Sequence, residues 1–155
     1  MNKEVVIMVG TPLVGKTTYI KEHYPNHGII SRDEILMEVA GTRDYNLAFR
    51  KADQKLVDKI LLQRLTDAGK SDKNFVIDMT HMTSGRRKSN LSYFKNHYKV
   101  AVIFPFLSKS EWEVRNEKRK REEDKNIPWE VMEKMKSSYE PVKENEGFDE
   151  LIYVD

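Results

Sequence analysis

Gly10-Thr11-Pro12-Leu13-Val14-Gly15-Lys16-Thr17-Thr18 follows directly on the apolar run Val5-Val6-Ile7-Met8-Val9, and this junction decides how the whole chain is read. The spacing G-x-x-x-x-G-K-T is that of a phosphate-binding loop. Its glycines let the backbone turn tightly and aim successive N–H groups at one anion. Lys16 adds a point charge for the β and γ phosphates, and Thr17 offers a hydroxyl to Mg²⁺. Thr18 continues into a helix whose positive end adds to the attraction. A bare glycine turn with an exposed lysine would not need a β-branched strand before it and a helix after it.

Outward from that loop, composition sets the bounds. The chain has 155 residues, enough for one domain over 1–155 with a core of its own, and no cysteine, which excludes disulfides, thiolate metal sites and cysteine nucleophiles. Lys plus Arg exceed Asp plus Glu by 27 − 25 = +2, so the balance neither demands nor forbids a nucleic-acid partner. No apolar stretch is long enough for a signal peptide or a membrane span, so a cytoplasmic location without a membrane partner is expected.

Along the chain, strands and helices alternate. Val5–Val9, 28–30, 74–78, 100–104 and 151–154 read as strands, and helices are expected over 16–23, from near Glu34, and over 46–68, 84–97, 108–125 and 128–139. In the 46–68 segment, Phe49, Ala52, Leu56, Ile60 and Leu61 recur at three- and four-residue steps, predicting one long helix closed by Gly69 with this stripe in the core. Ser108 and Glu111 form a capping-box pattern at the start of the most charged helix. The order implies an α/β fold with a central parallel sheet of about five strands, helices on both faces, and a helical lid over about 108–126.

Phosphoryl transfer needs a metal near the phosphates, a carboxylate for the acceptor's proton and cations over the transferring group. Asp78 ends the strand 74–78, where an acidic residue can reach the metal, a strand-end turn being its bland alternative. Asp33 ends the second strand, and two readings stand: a general base toward an alcohol, or the N-cap of the helix that follows. Arg115 and Arg119, four apart on the charged helix, share one face and can fork onto phosphates. The rest of that helix reads as a solvated face with i,i+4 pairs. The four histidines have no metal-ligand spacing and read as surface residues.

Taken in order, these segments resemble the 5′-hydroxyl polynucleotide kinases over most of the chain. The loop Gly10-x-Pro12-x-x-Gly15-Lys16-Thr17-Thr18, the segment Ser31-Arg32-Asp33-Glu34, Asp78-Met79-Thr80-His81, the pair Arg86-Arg87, Arg115-Asn116-x-x-Arg119 and the helix after Pro128 carry the likeness. The resemblance implies a P-loop NTPase fold and transfer of the ATP γ-phosphate to the 5′-OH of DNA or RNA, with ATP and Mg²⁺ as cofactors. It implies roles as well. Asp33 takes the acceptor proton, and Lys16 with residues 10–18, Gly10, Thr11, Pro12, Leu13, Val14, Gly15, Thr17 and Thr18, holds the donor. Thr17 and Asp78 serve the metal, Asp78 through water. Arg115 and Arg119 close over the triphosphate, Arg119 as a catalytic cation. Thr80, Arg86 and Arg87 face the polynucleotide.

Two departures matter. His81 stands where the family has asparagine, and Leu36 stands where an arginine binds the phosphate next to the reacting hydroxyl. Arg43 or Arg50 is then a candidate for that missing charge. No D-x-D-x-T occurs, so a phosphatase half is not expected. Single-stranded ends call for an aromatic platform; Tyr45 and Phe49 lie in the right region, with a core role preferred for Phe49. Two alternatives remain: a kinase of the same fold acting on a nucleoside, sugar or antibiotic hydroxyl, or a nucleotide-dependent binding module. A guanine-specific N-K-x-D is absent, and a switch has no use for Asp33.

Overall fold

The computed structural model describes residues 3–123 and 125–155, Glu123 through its backbone alone. Five parallel strands form one sheet: β1 (Glu4–Val9), β2 (Gly28–Ile30), β3 (Phe75–Ile77), β4 (Tyr98–Ile103) and β5 (Glu150–Tyr153), in the spatial order β2-β3-β1-β4-β5. Seven α-helices are seen among the described residues: α1 (Lys16–His23), α2 (Arg32–Ala40), α3 (Tyr45–Lys51), α4 (Gln54–Lys70), α5 (Ser84–Leu91), α6 (Lys109–Glu123) and α7 (Trp129–Ser138). β1 is central because it is apolar on both faces. Val5, Ile7 and Val9 pack on one side with Ile35, Val57 and Leu61, while Val6 and Met8 pack on the other with Ile20 of α1.

Strand order sets the site. β1 pairs with β3 on one side and β4 on the other, Ile7 lying opposite Ile77 and Val9 opposite Ile103. The loop after β1 therefore leaves the sheet where the connections diverge, the place at which open α/β sheets leave a crevice at their C-terminal edge.

The single helix expected over 46–68 is instead two. The carboxylate of Asp53 accepts hydrogen bonds from the backbone N–H groups of Lys55 and Leu56, at 3.1 and 3.2 Å, and starts α4 afresh, while Ala52 is extended (φ −68°, ψ 145°). The break resets the helical phase. Val57, Leu61, Leu65 and Ala68 are buried and Ala52 and Ile60 pack against them, whereas Phe49 is 56% exposed and Leu56 42%, so the predicted stripe holds at Ala52, Ile60 and Leu61 and fails at Leu56 and at Phe49, whose expected core role is wrong. Gly69 does not close the helix either. A Cβ there would lie 1.8 Å from the carbonyl oxygen of Tyr93, so it is the close approach of α4 to that backbone that requires glycine. The predicted helix over 84–97 ends earlier, at Leu91.

The arm of α6 and α7 is anchored on the loop itself. Leu13, Ile127 and Met132 form a small apolar cluster with Trp112 and Trp129 against it, and the Trp112 indole N–H donates to the Ile127 carbonyl at 2.8 Å. Asn116, nearly buried, accepts from the Ile127 N–H at 2.8 Å and donates to Asn126 at 3.0 Å, so the chain returning from α6 is tied back to that helix.

Candidate active site

The loop turns through two left-handed residues, Leu13 (φ 73°) and Gly15 (φ 101°). Glycine takes that conformation at no cost, whereas Leu13 is strained and is held by its apolar cluster and by Arg115, whose guanidinium donates to the Leu13 carbonyl at 2.7 Å. Gly10 begins the turn because a Cβ would meet Val14 at 2.9 Å and Phe104 at 3.1 Å. Its N–H donates to the Thr80 carbonyl at 3.0 Å, binding the loop to the segment after β3.

Lys16 opens α1 and reaches back along the loop to donate to the Gly10 carbonyl at 2.9 Å. Burial lowers its pKa to about 8, against the pull of Asp78 and Asp33, which raise it. Burial raises the Asp78 carboxyl, with Lys16 opposing and Asp33 adding to the rise. An anion seated on the loop amides would restore the full charge of Lys16.

Pro12, Leu13, Gly15, Lys16, Thr17 and Thr18 line a cleft of about 590 Å³ together with Asp33, Asp78, Thr80, Arg115 and Arg119. Gly10, Thr11 and Val14 build the loop from behind without lining it. A second cleft of about 910 Å³ shares Thr17, Asp33, Tyr45, Asp78, Arg119 and Lys125 with the first and extends toward Met37, Glu38 and Arg43. The two are one groove with a loop-lined half and a half toward α2, and Asp33 lines both. The N-cap alternative for Asp33 falls to its neighbour: Ser31 caps α2 by accepting from the Glu34 N–H at 3.3 Å, leaving the Asp33 carboxylate in the groove.

The groove fits a magnesium nucleotide. A Cβ added at Gly15 would meet nothing within 4 Å, so the loop presents open amides rather than a filled turn. Thr17 and Asp78 offer a hydroxyl and a carboxylate, a pair that suits Mg²⁺ when phosphate oxygens and water complete the shell. No cluster of three or more acidic, histidine or cysteine residues able to hold a metal unaided occurs among the described residues.

Other predicted contacts are placed elsewhere. Arg87 is wholly buried: its guanidinium pairs with Glu146 at 2.7 Å and donates to the carbonyls of His81 and Glu140, both at 2.8 Å. It cannot face a polynucleotide, because each nitrogen is committed to joining α5 to the segment before β5. Arg86 is exposed but outside the groove. Arg43 lines the half of the groove toward α2 and is paired with Glu34 at 2.9 Å, and Leu36 lies fully in the core and does not line the groove.

His81 and His97, expected on the surface, are buried. His81 has φ 51°, and its ring bridges the Met8 carbonyl at 2.7 Å and the Asn90 amide at 2.9 Å. Burial depresses its pKa to about 4, so the ring is neutral, with Nδ1–H donating to Met8 and Nε2 accepting from Asn90. Lys125 and Tyr45 are site residues that sequence patterns did not single out as a pair. The Lys125 ammonium lies 4.4 Å from the Tyr45 ring centre and 3.8 Å from Asp33. Only the return of the chain after α6 brings them together.

A family model described as an AAA domain matches residues 5–142. The chain belongs to the AAA domain family. Human heterogeneous nuclear ribonucleoprotein U-like protein 2 is 26% identical over 160 residues, which cover 97% of this AAA domain chain and 21% of that protein. The chain thus spans about a fifth of the curated relative's length. Among solved structures, a gluconokinase from Sinorhizobium meliloti superposes with a TM-score of 0.60 at 13% identity, covering 98% of this chain and 82% of that one. Kti12 from Chaetomium thermophilum, in complex with ADP-AlF3, superposes with a TM-score of 0.61 at 16% identity, covering 97% and 88%. At such identities the likeness is one of fold: the AAA domain here has a P-loop kinase-like architecture. No helix among the described residues is long and apolar enough to cross a membrane.

Proposed function

We propose that this AAA domain is an ATP-dependent kinase that phosphorylates the 5′-hydroxyl of a polynucleotide. The observation that carries a kinase reading is the position of Asp33, a carboxylate not used for capping, at the junction between the loop-lined half of the groove and the half toward α2, which in this reading is the acceptor half. Bound Mg·ATP supplies an activated γ-phosphoryl group. Asp33 accepts the proton as the acceptor oxygen attacks phosphorus, and the bond to the β–γ bridging oxygen breaks to leave ADP. Lys16 and the loop amides hold the β and γ oxygens, Thr17 and Asp78 serve the metal, and Arg119 covers the charge that develops on the transferring group. Arg115 has one nitrogen on the loop carbonyl of Leu13 and so couples the arm to the loop.

The polynucleotide acceptor is supported by the ordered likeness to 5′-hydroxyl kinases and by a relative whose name marks it as a ribonucleoprotein. A second reading, a small hydroxylated acceptor, is favoured by a different observation. Arg43 and Arg64, both lining the acceptor half, are paired with Glu34 and Glu38, and Leu36 leaves the family's phosphate contact unfilled. Transfer of γ-phosphate from ATP with Mg²⁺ to a single-stranded 5′-OH oligonucleotide separates them, run beside nucleoside and sugar acceptors. The expected result is a 5′-phosphorylated oligonucleotide, lost in Lys16→Ala and Asp33→Ala. Labelling of a sugar or nucleoside without labelling of any oligonucleotide would decide for the small acceptor.

A further inference from the structure

We infer that Phe49 is the base platform of the acceptor site, stacking a base near the 5′ end of a single-stranded polynucleotide whose phosphates run past Arg43, Arg50 and Lys51. The inference rests on the polynucleotide reading and supplies a substrate contact that the buried Leu36 and Arg87 do not.

α3 begins beside the chemistry and leads away from it. Tyr45, its first residue, lines both halves of the groove, and burial with the nearby Asp33 carboxylate pushes its phenol up to about 12. One face of its ring is occupied by Lys125. Phe49 is one helical turn on, on the same side of α3, its ring centre 6.5 Å from that of Tyr45. Phe49 does not line the groove and is 56% exposed, the most exposed aromatic ring of α1 to α4. A large aromatic surface held open one turn from the acceptor end has no part in the core to explain it.

The backbone beneath Phe49 is fixed relative to the base Asp33. The Gln54 side chain donates to the Phe49 carbonyl at 3.1 Å and accepts from Arg32 at 2.8 Å, and Arg32 also pairs with Asp58 at 3.0 Å. Arg32 precedes Asp33 in sequence, so a short chain of hydrogen bonds runs from the reacting end to the platform. This is what a binding ring requires: an exposed face on a backbone that does not move with respect to the hydroxyl being phosphorylated.

Charge selects the occupant. Arg50, Lys51 and Lys55 are exposed around the α3–α4 junction with no acidic partner among the described residues, while the acids near them in sequence are engaged elsewhere, Asp44 and Asp53 as helix caps and Asp58 in its pair with Arg32. Arg43, 75% exposed in its pair with Glu34, can exchange that partner for a phosphate, since a solvent-exposed ion pair holds its partners only weakly. An exposed ring among backbone-reading cations is the arrangement that holds a single strand without reading its sequence.

The test is a cycle between Phe49→Ala and removal of the base. Anisotropy of a labelled 5′-OH oligodeoxynucleotide, and kcat/KM for its phosphorylation, are measured with the intact strand and with strands abasic at the first or second nucleotide. Phe49→Ala is expected to weaken binding and kcat/KM for the intact strand by roughly 5- to 100-fold, the range of one base–aromatic stack. One of the abasic strands should already show that loss with the wild-type protein, and combining the two changes should add little. Phe49→Trp should restore binding, and Leu62→Ala, an equally exposed apolar residue on α4, should change nothing. Additive losses, or binding indifferent to Phe49→Ala, would overturn the platform while leaving the kinase reading intact. Binding that depends on Phe49 without any transfer would keep the platform and remove the 5′-hydroxyl reading, and absence of binding altogether would remove both.

Discussion

The ammonium of Lys125 stands 3.8 Å from the carboxylate of Asp33, so the segment that returns from α6 reaches the residue proposed as the general base. The same ammonium covers the Tyr45 ring at 4.4 Å, and both side chains line the groove. Asn116 and Trp112 tie Ile127, two residues on, to α6, so the position of Lys125 is coupled to that helix.

Lys125→Ala should therefore lower kcat about 5- to 20-fold through lost orientation and charge over the transferring group. The thermal midpoint should hardly change, since a 3.8 Å contact to a half-exposed carboxylate is a weak ion pair. Steady-state kinetics with a thermal melt of the same sample checks both. A fall in midpoint matching the fall in rate would make Lys125 merely structural.

Lys16→Ala and Asp33→Asn should separate donor binding from proton transfer. Loss of the Lys16 charge should weaken ATP binding and reduce kcat by about 10²-fold or more. Asp33→Asn should cost about 10²–10⁴-fold in kcat and leave nucleotide affinity close to wild type, because the amide cannot take a proton. Calorimetric titration with ATP beside rate measurements gives the comparison.

Arg87→Ala is expected to act on stability. Removing one partner of a buried, fully bonded pair costs about 3–5 kcal/mol, and in a chain of this size that lowers the melting midpoint by roughly 6–20 °C. Were Arg87 a polynucleotide contact, the oligonucleotide KM would rise instead with the midpoint unchanged.

His81 makes stability depend on pH. Its pKa is depressed to about 4 in the folded protein, below its ordinary value of 6.5, so protonation favours unfolding. The stabilisation is complete above pH 6.5 and is lost as pH falls toward 4, reaching roughly 3 kcal/mol. Urea unfolding at pH 7.5, 5.5 and 4.5 should show a steeper acid loss for wild type than for His81→Asn, whose amide can still donate to Met8 without titrating. Parallel curves would mean that the buried ring carries no such penalty.

Much of this protein is legible in its residues because the signals are local. The phosphate loop is a contiguous pattern whose glycines answer a steric need within nine residues. The inner strands β1 and β4 announce themselves as the apolar runs Val5–Val9 and Val100–Ile103, since burial on both faces leaves no polar position there. Asp33, Asp78, Arg115 and Arg119 were found because strand ends and helical spacing place them on the groove, and the structure brings all four to it.

What the tertiary structure alone decided are the properties that depend on distant partners. Arg87 looked like half of a basic pair until Glu146, 59 residues on, claimed it in the core. His81 looked exposed until the Met8 carbonyl across the sheet gave it a buried partner. One helical break at Asp53 changed the phase of two helices and left Phe49 and Leu56 on the surface while Ala52, Ile60 and Leu61 of the expected stripe stayed with the core. Periodicity reports which side chains would share a face if a helix ran on; packing and capping determine whether it does.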